Sequence, residues 1–174
     1  MRLKIFDTPV SYPQMWELQQ AQALRCAEGA EDQVYLLEHL AVVTRGRGLQ
    51  RQGAIEAPRQ MPLDPASLPV GTEYCEVDRG GDLTWHGPGQ LVIYPIVNLD
   101  REESRIWDLP RRDLGGYLRT FEERVIQALT RLGLPAVARP GSSGVWLQMG
   151  EGKQGLRKIA SIGVSVKNWV TQHG

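Results

Sequence analysis

The chain has 174 residues, of which 41% are hydrophobic and 23% charged, and its 20 basic side chains balance 20 acidic ones. This is the length and composition of one globular domain with a real core, not of a disordered segment. A zero net charge excludes a global field that would draw the chain to nucleic acid or a membrane, so any charged partner must meet a local patch.

The opening "MRLKIFDTPVSYPQMW" lacks the continuous apolar stretch of a secretory signal, and no run approaches the length a membrane span needs. Cys26 and Cys75 fit neither a disulfide framework nor a zinc ribbon, so a cytoplasmic location is expected. The segment "SYPQMWELQQAQALRCAEG" predicts a first helix, with Met15, Leu18 and Gln22, then Ala21 and Leu24, at helical spacing and Gly29 at its stop. Two short strands are expected at Val34 to Leu37 and Ala41 to Thr44. Between Gly48 and Gly71 the chain turns polar and carries Pro58, Pro62, Pro65 and Pro69, which predicts a long loop. "TEYCEVD" reads as a strand feeding the glycine-rich stretch "RGGDLTWHGPGQ", read as a loop.

"QLVIYPIVNL" follows as an apolar run expected of a buried strand, where Pro95 demands an edge or a bulge. "DLGGYLRTFEERVIQALTRLG" is the clearest helix. Leu114, Leu118, Phe121, Val125, Leu129 and Leu132 form its stripe, and Gly133-Leu134-Pro135 stops it. A hairpin is expected to end the sequence, with strands at Val145 to Met149 and Ile159 to Val166 around a glycine-rich turn. In the second strand Ser161, Gly163 and Ser165 alternate with Ile162, Val164 and Val166, leaving one face nearly bare. A ligand or a packed element could use that room equally well. No repeat or domain boundary is evident, so one domain over 1–174 is expected, of α/β (α+β) class with a mixed, mostly antiparallel sheet flanked by helices.

Four glycines at 80, 81, 87 and 89 allow close backbone approach to a ligand, and consecutive N–H groups there could receive an oxyanion. Arg79 and Asp82 could pin the loop by a charge-assisted pair, and His86 is a titratable group within it. A plain hairpin connection carrying a stray histidine fits the composition as well. The stretch is neither a Walker A sequence nor a dinucleotide fingerprint, which disfavours phosphate cradling of a nucleotide. His39, His86 and His173 have no metal-site spacing, so no metal is assigned. Trp85 and Trp107 do not alternate with basic residues, which leaves a nucleic-acid surface unsupported. Arg45, Arg47 and Arg51 form a basic run able to meet an acidic carrier, or an ordinary solvated loop.

Three ordered blocks, "LLEHLAVVTRGRG", "LPVGTEYCEVDRGGDLTWHGPGQLVIYPIVNL" and "GVW" with "KIASIGVSVKNWVTQHG", resemble the lipoyl(octanoyl) transferases. The doubled Arg-Gly after Thr44 departs from that family's usual form. The resemblance implies a biotin/lipoate protein ligase-like fold, no cofactor, and transfer of an octanoyl group from acyl carrier protein to a lysine of lipoyl domains, as in the 2-oxoacid dehydrogenase and glycine cleavage complexes. It implies that Arg79, Gly80, Gly81, Asp82, Leu83, Thr84, Trp85 and His86 line the substrate site, with Ser161, Ile162 and Gly163 beside the acyl chain and Gly174 opening a third contact segment. Lys158 matches the catalytic lysine, whose ammonium would lower the pKa of a nucleophilic thiol and steady a tetrahedral oxyanion. The resemblance puts that thiol in a Pro-Cys-Gly segment after the His-Gly step, beyond Gly174. Neither Cys26 nor Cys75 matches it, so residues 1–174 are expected to lack their C-terminal part, to leave some core uncovered and to be inactive in transfer. An ATP-dependent lipoate ligase and a non-catalytic acyl-binding or lipoyl-domain-binding remnant are the alternatives. The Gly-Pro-Gly of the second block argues against the ligase.

Overall fold

The computed structural model describes residues 1–48, 62–102, 111–150 and 155–174. Most of the long proline-rich loop, Arg51, Trp107 and the centre of the last glycine-rich turn therefore lie outside the described residues. The chain forms a mixed α+β fold, as its periodicities lead one to expect. It divides into two compact units, one of Met1–Asn98 with Val164–Gly174, the other of Leu99–Gly163.

In the first unit β1 (Arg2–Ile5) pairs parallel with β2 (Gln33–Leu37), which pairs antiparallel with β6 (Val92–Ile96). A second sheet has the order β4 (Glu73–Glu76), β3 (Val42–Gly48), β5 (Gly81–His86), with β4 parallel and β5 antiparallel to β3. β10 (Val164–Lys167) and β11 (Val170–His173) form an antiparallel hairpin. Helix α1 (Tyr12–Ala27) starts at Ser11, whose hydroxyl accepts from the Gln14 N–H, with Pro13 in its first turn. Its buried face is Met15, Gln19, Gln22, Ala23 and Cys26, while Ala21 and Leu24, expected on the stripe, are exposed. Two glutamines are buried on this face, each with one end of its amide engaged. Gln19 Oε1 accepts from the His173 N–H at 2.8 Å, and Gln22 Nε2 donates to the Glu31 carbonyl at 2.8 Å.

Pro95 sits on β6 opposite Val34, at the edge of its three-stranded sheet. The ladder donor it lacks is compensated from β11. The Thr171 hydroxyl donates to the Pro95 carbonyl at 2.7 Å and accepts from the Val97 N–H at 2.9 Å, while the Thr171 N–H donates to the Val97 carbonyl. β11 is buried along its whole length.

The second unit packs α2 (Leu114–Arg131) on an antiparallel sheet of β7 (Ala136–Arg139), β8 (Ser142–Gln148) and β9 (Leu156–Ala160). Asp113 caps α2 by accepting from the Gly116 N–H. The expected stop at Gly133 is a Schellman motif, with Leu134 N–H donating to Leu129 O and Gly133 N–H to Thr130 O.

Two expectations need correction. The strand expected over Ile159 to Val166 breaks at 161–163, so β9 and β10 lie in different units and the alternation across them is not one sheet face. The stretch read as a glycine loop is mostly the strand β5, bounded by a bend at 78–80 and a turn after His86. Gly81 and Gly48 pair beside a bulge in β3, which lets the chain turn sharply without a long loop.

That turn presses on Gly46. A Cβ there would overlap the Gly81 carbonyl and lie 2.8 Å from the Arg79 carbonyl, both rigid backbone. Gly46→Ala is expected to cost about 2–3 kcal/mol, lowering Tm by roughly 5–10 °C in thermal unfolding. Gly80→Ala, whose Cβ would meet only the Val164 carbonyl at 3.8 Å, is the contrasting variant and should leave Tm nearly unchanged.

Candidate active site

Arg79 organises the glycine-rich stretch. Its side chain is buried, with 6% of the residue exposed. Nη2 donates to the Thr44 carbonyl at 2.9 Å, the Thr44 hydroxyl at 2.7 Å and the Asp82 carbonyl at 3.0 Å, and Nη1 donates to the Gly80 carbonyl at 3.0 Å. The expected Arg79–Asp82 charge pair does not form. Asp82 turns its carboxylate to Arg45 at 3.5 Å, and Arg79 takes only Asp82's backbone. Arg45 also donates to the Tyr74 hydroxyl, so it is a buried tie between strands and not part of a docking run. Arg47 is exposed and pairs with Asp78.

β5 is extended, so its N–H groups alternate between β3 and the opposite edge and do not converge on one oxyanion. Leu83 lies opposite Arg45 and Thr84 opposite Thr44, whose hydroxyl reaches the Thr84 carbonyl. Trp85 is exposed, with its ring lying against the bare Gly87. Gly80 ties the bend to β10 through its N–H and the Val164 carbonyl at 3.1 Å. Gly174 lies so close to the Ile93 carbonyl of β6 that any side chain would overlap it.

His86 and His173 lie within reach of the Arg79 charge and His39 lies beside His86, ring centres 5.6 Å apart, although 47 and 87 residues separate the three in turn along the chain. A carbonyl only accepts, so His39 carries its proton on Nδ1, which donates to Val10 O, and Nε2 accepts from the Tyr94 hydroxyl. His86 Nδ1 donates to Gln90 Oε1 at 2.6 Å, and the Gln90 amide is held in that sense because its Nε2 donates to the Trp85 carbonyl. His173 meets the Tyr12 hydroxyl at 3.1 Å and stacks on Trp16 with ring centres 4.4 Å apart. Its backbone sits at φ 61°, in the left-handed region. Burial pushes His86 down to about 4, with the His39 and Arg79 charges adding to the effect. Burial and then Arg79 push His173 down to about 3. Burial raises Tyr12 and Tyr94.

Lys158, on β9 in the second unit, lies opposite Trp146 of β8, and its ammonium stands 4.9 Å from the indole centre. Gly144 lies beneath it. A Cβ there would be 2.6 Å from Lys158 Cε and would overlap the Ala160 carbonyl, and φ is 110°. Glu122 of α2 accepts the Gly144 N–H at 2.7 Å. Lys158 is largely exposed as a residue, yet its head lies against Gly144 and the indole. Lost hydration lowers its pKa, opposed by the Glu122 charge. It is therefore not the freely solvated lysine its neighbour Arg157 would suggest. Ser161 is exposed, Ile162 is buried with its carbonyl near the Ser143 hydroxyl, and Gly163 is half-buried.

Neither cysteine is set up as a nucleophile. Cys26 is fully buried with its thiol against the Glu31 carbonyl. Burial and then Glu73 raise the Cys75 thiol.

The family model of the lipoyl protein ligase A/B catalytic domain matches residues 11–174. The chain belongs to that family. It is 38% identical to an octanoyltransferase of Geobacter sp. (strain M21) over 165 residues, covering 95% of this chain and 67% of the relative. It is 41% identical to an octanoyltransferase of Nocardia farcinica and 40% identical to one of Thermobifida fusca, covering 57% and 64% of those relatives. The chain thus spans between about half and two thirds of the curated relatives it matches. A bi-partite lipoate protein ligase of Thermoplasma acidophilum superposes with a TM-score of 0.61 at 20% identity, covering 98% of this chain and 58% of that one. A putative lipoate protein ligase from the same organism gives 0.62 at 16% identity, with 98% and 65% covered. These two likenesses establish the biotin/lipoate ligase-like fold.

The histidine environment fixes a pH dependence. His86 and His173 have folded pKa values below the unfolded value of about 6.5, so the unfolded chain binds more protons below that pH. Their stabilisation is complete above pH 6.5 and is lost as pH falls toward 4 and 3. Between pH 6 and 4 each histidine should remove about 1.4 kcal/mol of stability per pH unit. Denaturant unfolding at stepped pH checks this, and a profile flat from pH 7 to 5 would contradict the buried neutral cluster.

Proposed function

We propose that the chain carries the catalytic domain of an octanoyltransferase, which moves an octanoyl group from a carrier thioester to a lysine of a lipoyl domain. Arg79 to His86, Ser161 to Gly163 and Gly174 are read as the substrate-binding positions, with Ser161 to Gly163 bordering the acyl chain. Lys158 is read as the cation that activates the thiol and steadies the oxyanion. The observation that carries the reading is the setting of Lys158. A cation held at a fixed place by an indole face and a bare glycine, with hydration partly stripped, is suited to stabilise developing negative charge. The names of the relatives at 38–41% identity point to the same reaction.

The chemistry runs in two steps. A thiolate attacks the thioester carbonyl, Lys158 steadies the tetrahedral oxyanion, and the carrier thiolate leaves. The amine of the lipoyl-domain lysine then attacks the acyl-cysteine, the C–S bond breaks to release the enzyme thiolate, and the amine's proton is lost through solvent, where it balances the carrier thiolate, to give the amide. The resemblance assigns the thiol to a Pro-Cys-Gly segment following His173–Gly174. The buried Cys26 and the raised Cys75 are poor substitutes. The likeness to ligases is one of fold at 16–20% identity, and it does not carry ATP dependence over to this chain.

The test is transfer from an octanoyl-carrier thioester to an unmodified lipoyl domain, followed by mass spectrometry without ATP. Residues 1–174 alone are expected to bind the donor without forming an acyl-enzyme. Together with the Pro-Cys-Gly segment they should transfer, and Lys158→Ala should then lower kcat by about 100-fold or more. Transfer that requires ATP and free octanoate would replace this reading with the ligase.

A further inference from the structure

Within the first unit, Arg47 and Lys167 approach one carboxylate oxygen, Asp78 Oδ2, at 3.4 and 2.9 Å. They stand over a cavity of about 270 Å³ whose walls include Asp78, Arg79, Gly80 and Ser165. Two cations face that carboxylate, and with the buried Arg79 the lining carries three positive charges against one negative. The Arg47 and Lys167 side chains are more than half exposed, so both are free to reorient toward a ligand. Arg79 and Ser165 belong to the cavity wall, and Arg79 Nε and Ser165 Oγ are buried behind it without a hydrogen-bond partner. Gly80 adds a wall without a side chain, which admits a bulky head group.

The geometry points to an anion subsite, which receives a phosphate ester borne by the acyl donor. Two cations sharing one carboxylate oxygen are each only partly compensated, and a tetrahedral anion with several free oxygens can meet both at once. A fatty acid carboxylate presents two oxygens on one plane and a tail that would strip water from these charges without replacing it. The inference rests on the octanoyltransferase reading, in which the donor's thioester is attached to its carrier through a prosthetic arm that ends in a phosphodiester. The arm is then held by its phosphate end, apart from the acyl chain. Asp78 acts as the resident counter-ion that the phosphate displaces. Its carboxyl is held below the ordinary range, first by the Lys167 hydrogen bond, so it stays charged at neutral pH.

The test compares the affinity of the chain for octanoyl-4′-phosphopantetheine and octanoyl-pantetheine by titration calorimetry at low and high salt. The phosphorylated ligand should bind about tenfold tighter at low salt, and the gap should shrink at high salt. The double variant Arg47→Gln, Lys167→Gln should erase the gap and leave the unphosphorylated ligand unchanged. Asp78→Asn should tighten the phosphorylated ligand several-fold, the opposite of what loss of a purely structural ion pair would do. Matching thermal unfolding of the variants keeps the comparison valid. Equal affinities in the wild type, or a gap that survives the double variant, overturn the subsite alone. Failure of both ligands to bind overturns the octanoyl-donor reading and the subsite with it. Displacement of the phosphorylated ligand by ATP at far lower concentration than by inorganic phosphate assigns the cavity to a nucleotide and overturns the donor assignment.

Discussion

The first unit is built around a guanidinium that touches no carboxylate. Arg79 gives four hydrogen bonds to three carbonyls and one hydroxyl, drawn from β3 and from its own bend. Carbonyl dipoles solvate the charge without neutralising it, so the site keeps a net positive field in a region of low dielectric. That field accounts for much of what surrounds it. The bend must fold back tightly enough to place the Gly80 and Asp82 carbonyls on the side chain, which leaves no room for a Cβ at Gly46. Asp82 has its own partner in Arg45, and the rings of Tyr12, His86 and His173 remain uncharged. A positive charge beside a buried imidazole adds to the cost of protonating it, and the two effects run the same way.

Much of the architecture is legible because its signals are local. The caps and stops of both helices, the apolar run of β6, and the need for Pro95 to find an edge all follow from backbone chemistry acting over a few residues. What is not legible depends on partners distant in sequence. β1 alternates over only four residues and β7 does not alternate, and both become strands because β2 and β8 offer an edge. The glycines at 80 and 81 suggest a loop, yet the irregular part there is only the bend, because the β3 bulge absorbs the turn and residues 81–86 join a ladder before the turn that follows His86. Ser161 to Gly163 continue an apparent strand pattern but form the crossing between units, since period-two alternation says nothing about which sheet a residue joins.

The candidate site divides along the same line. Lys158 and the segment 79–86 stand out through their resemblance to a family. Their surroundings do not. Nothing in the spacing of His39, His86 and His173 suggests that they share one cluster, and charge complementarity suggests the wrong partner for Asp82. Gln19 looks like a solvent-facing helix residue until the His173 amide is seen to need it, and Gln22, placed on the stripe by spacing alone, owes its burial to the Glu31 carbonyl. Polar burial of this kind is specified by unsatisfied groups elsewhere in the chain, and a reading of periodicity has no access to those.

Two cations of different chemistry are thus placed in two different settings. Arg79 keeps its charge under nearly any condition, so it can be buried outright and used to hold backbone in place. An ammonium is more easily deprotonated by burial, and Lys158 accordingly sits on an open sheet face with only its head confined, between the Trp146 indole and the bare backbone of Gly144. Partial loss of hydration brings its pKa down while Glu122 limits the fall, which keeps the charge present but weakly solvated. Exchanging the two residue types would fail at both places. A lysine at 79 has too few donors and a geometry unable to span three carbonyls, and an arginine at 158 is too large for the space over Gly144 and resists any shift toward neutrality. The sequence therefore encodes distinct work for its two basic residues through what lies beside each, a carbonyl cage in one unit and an aromatic face in the other.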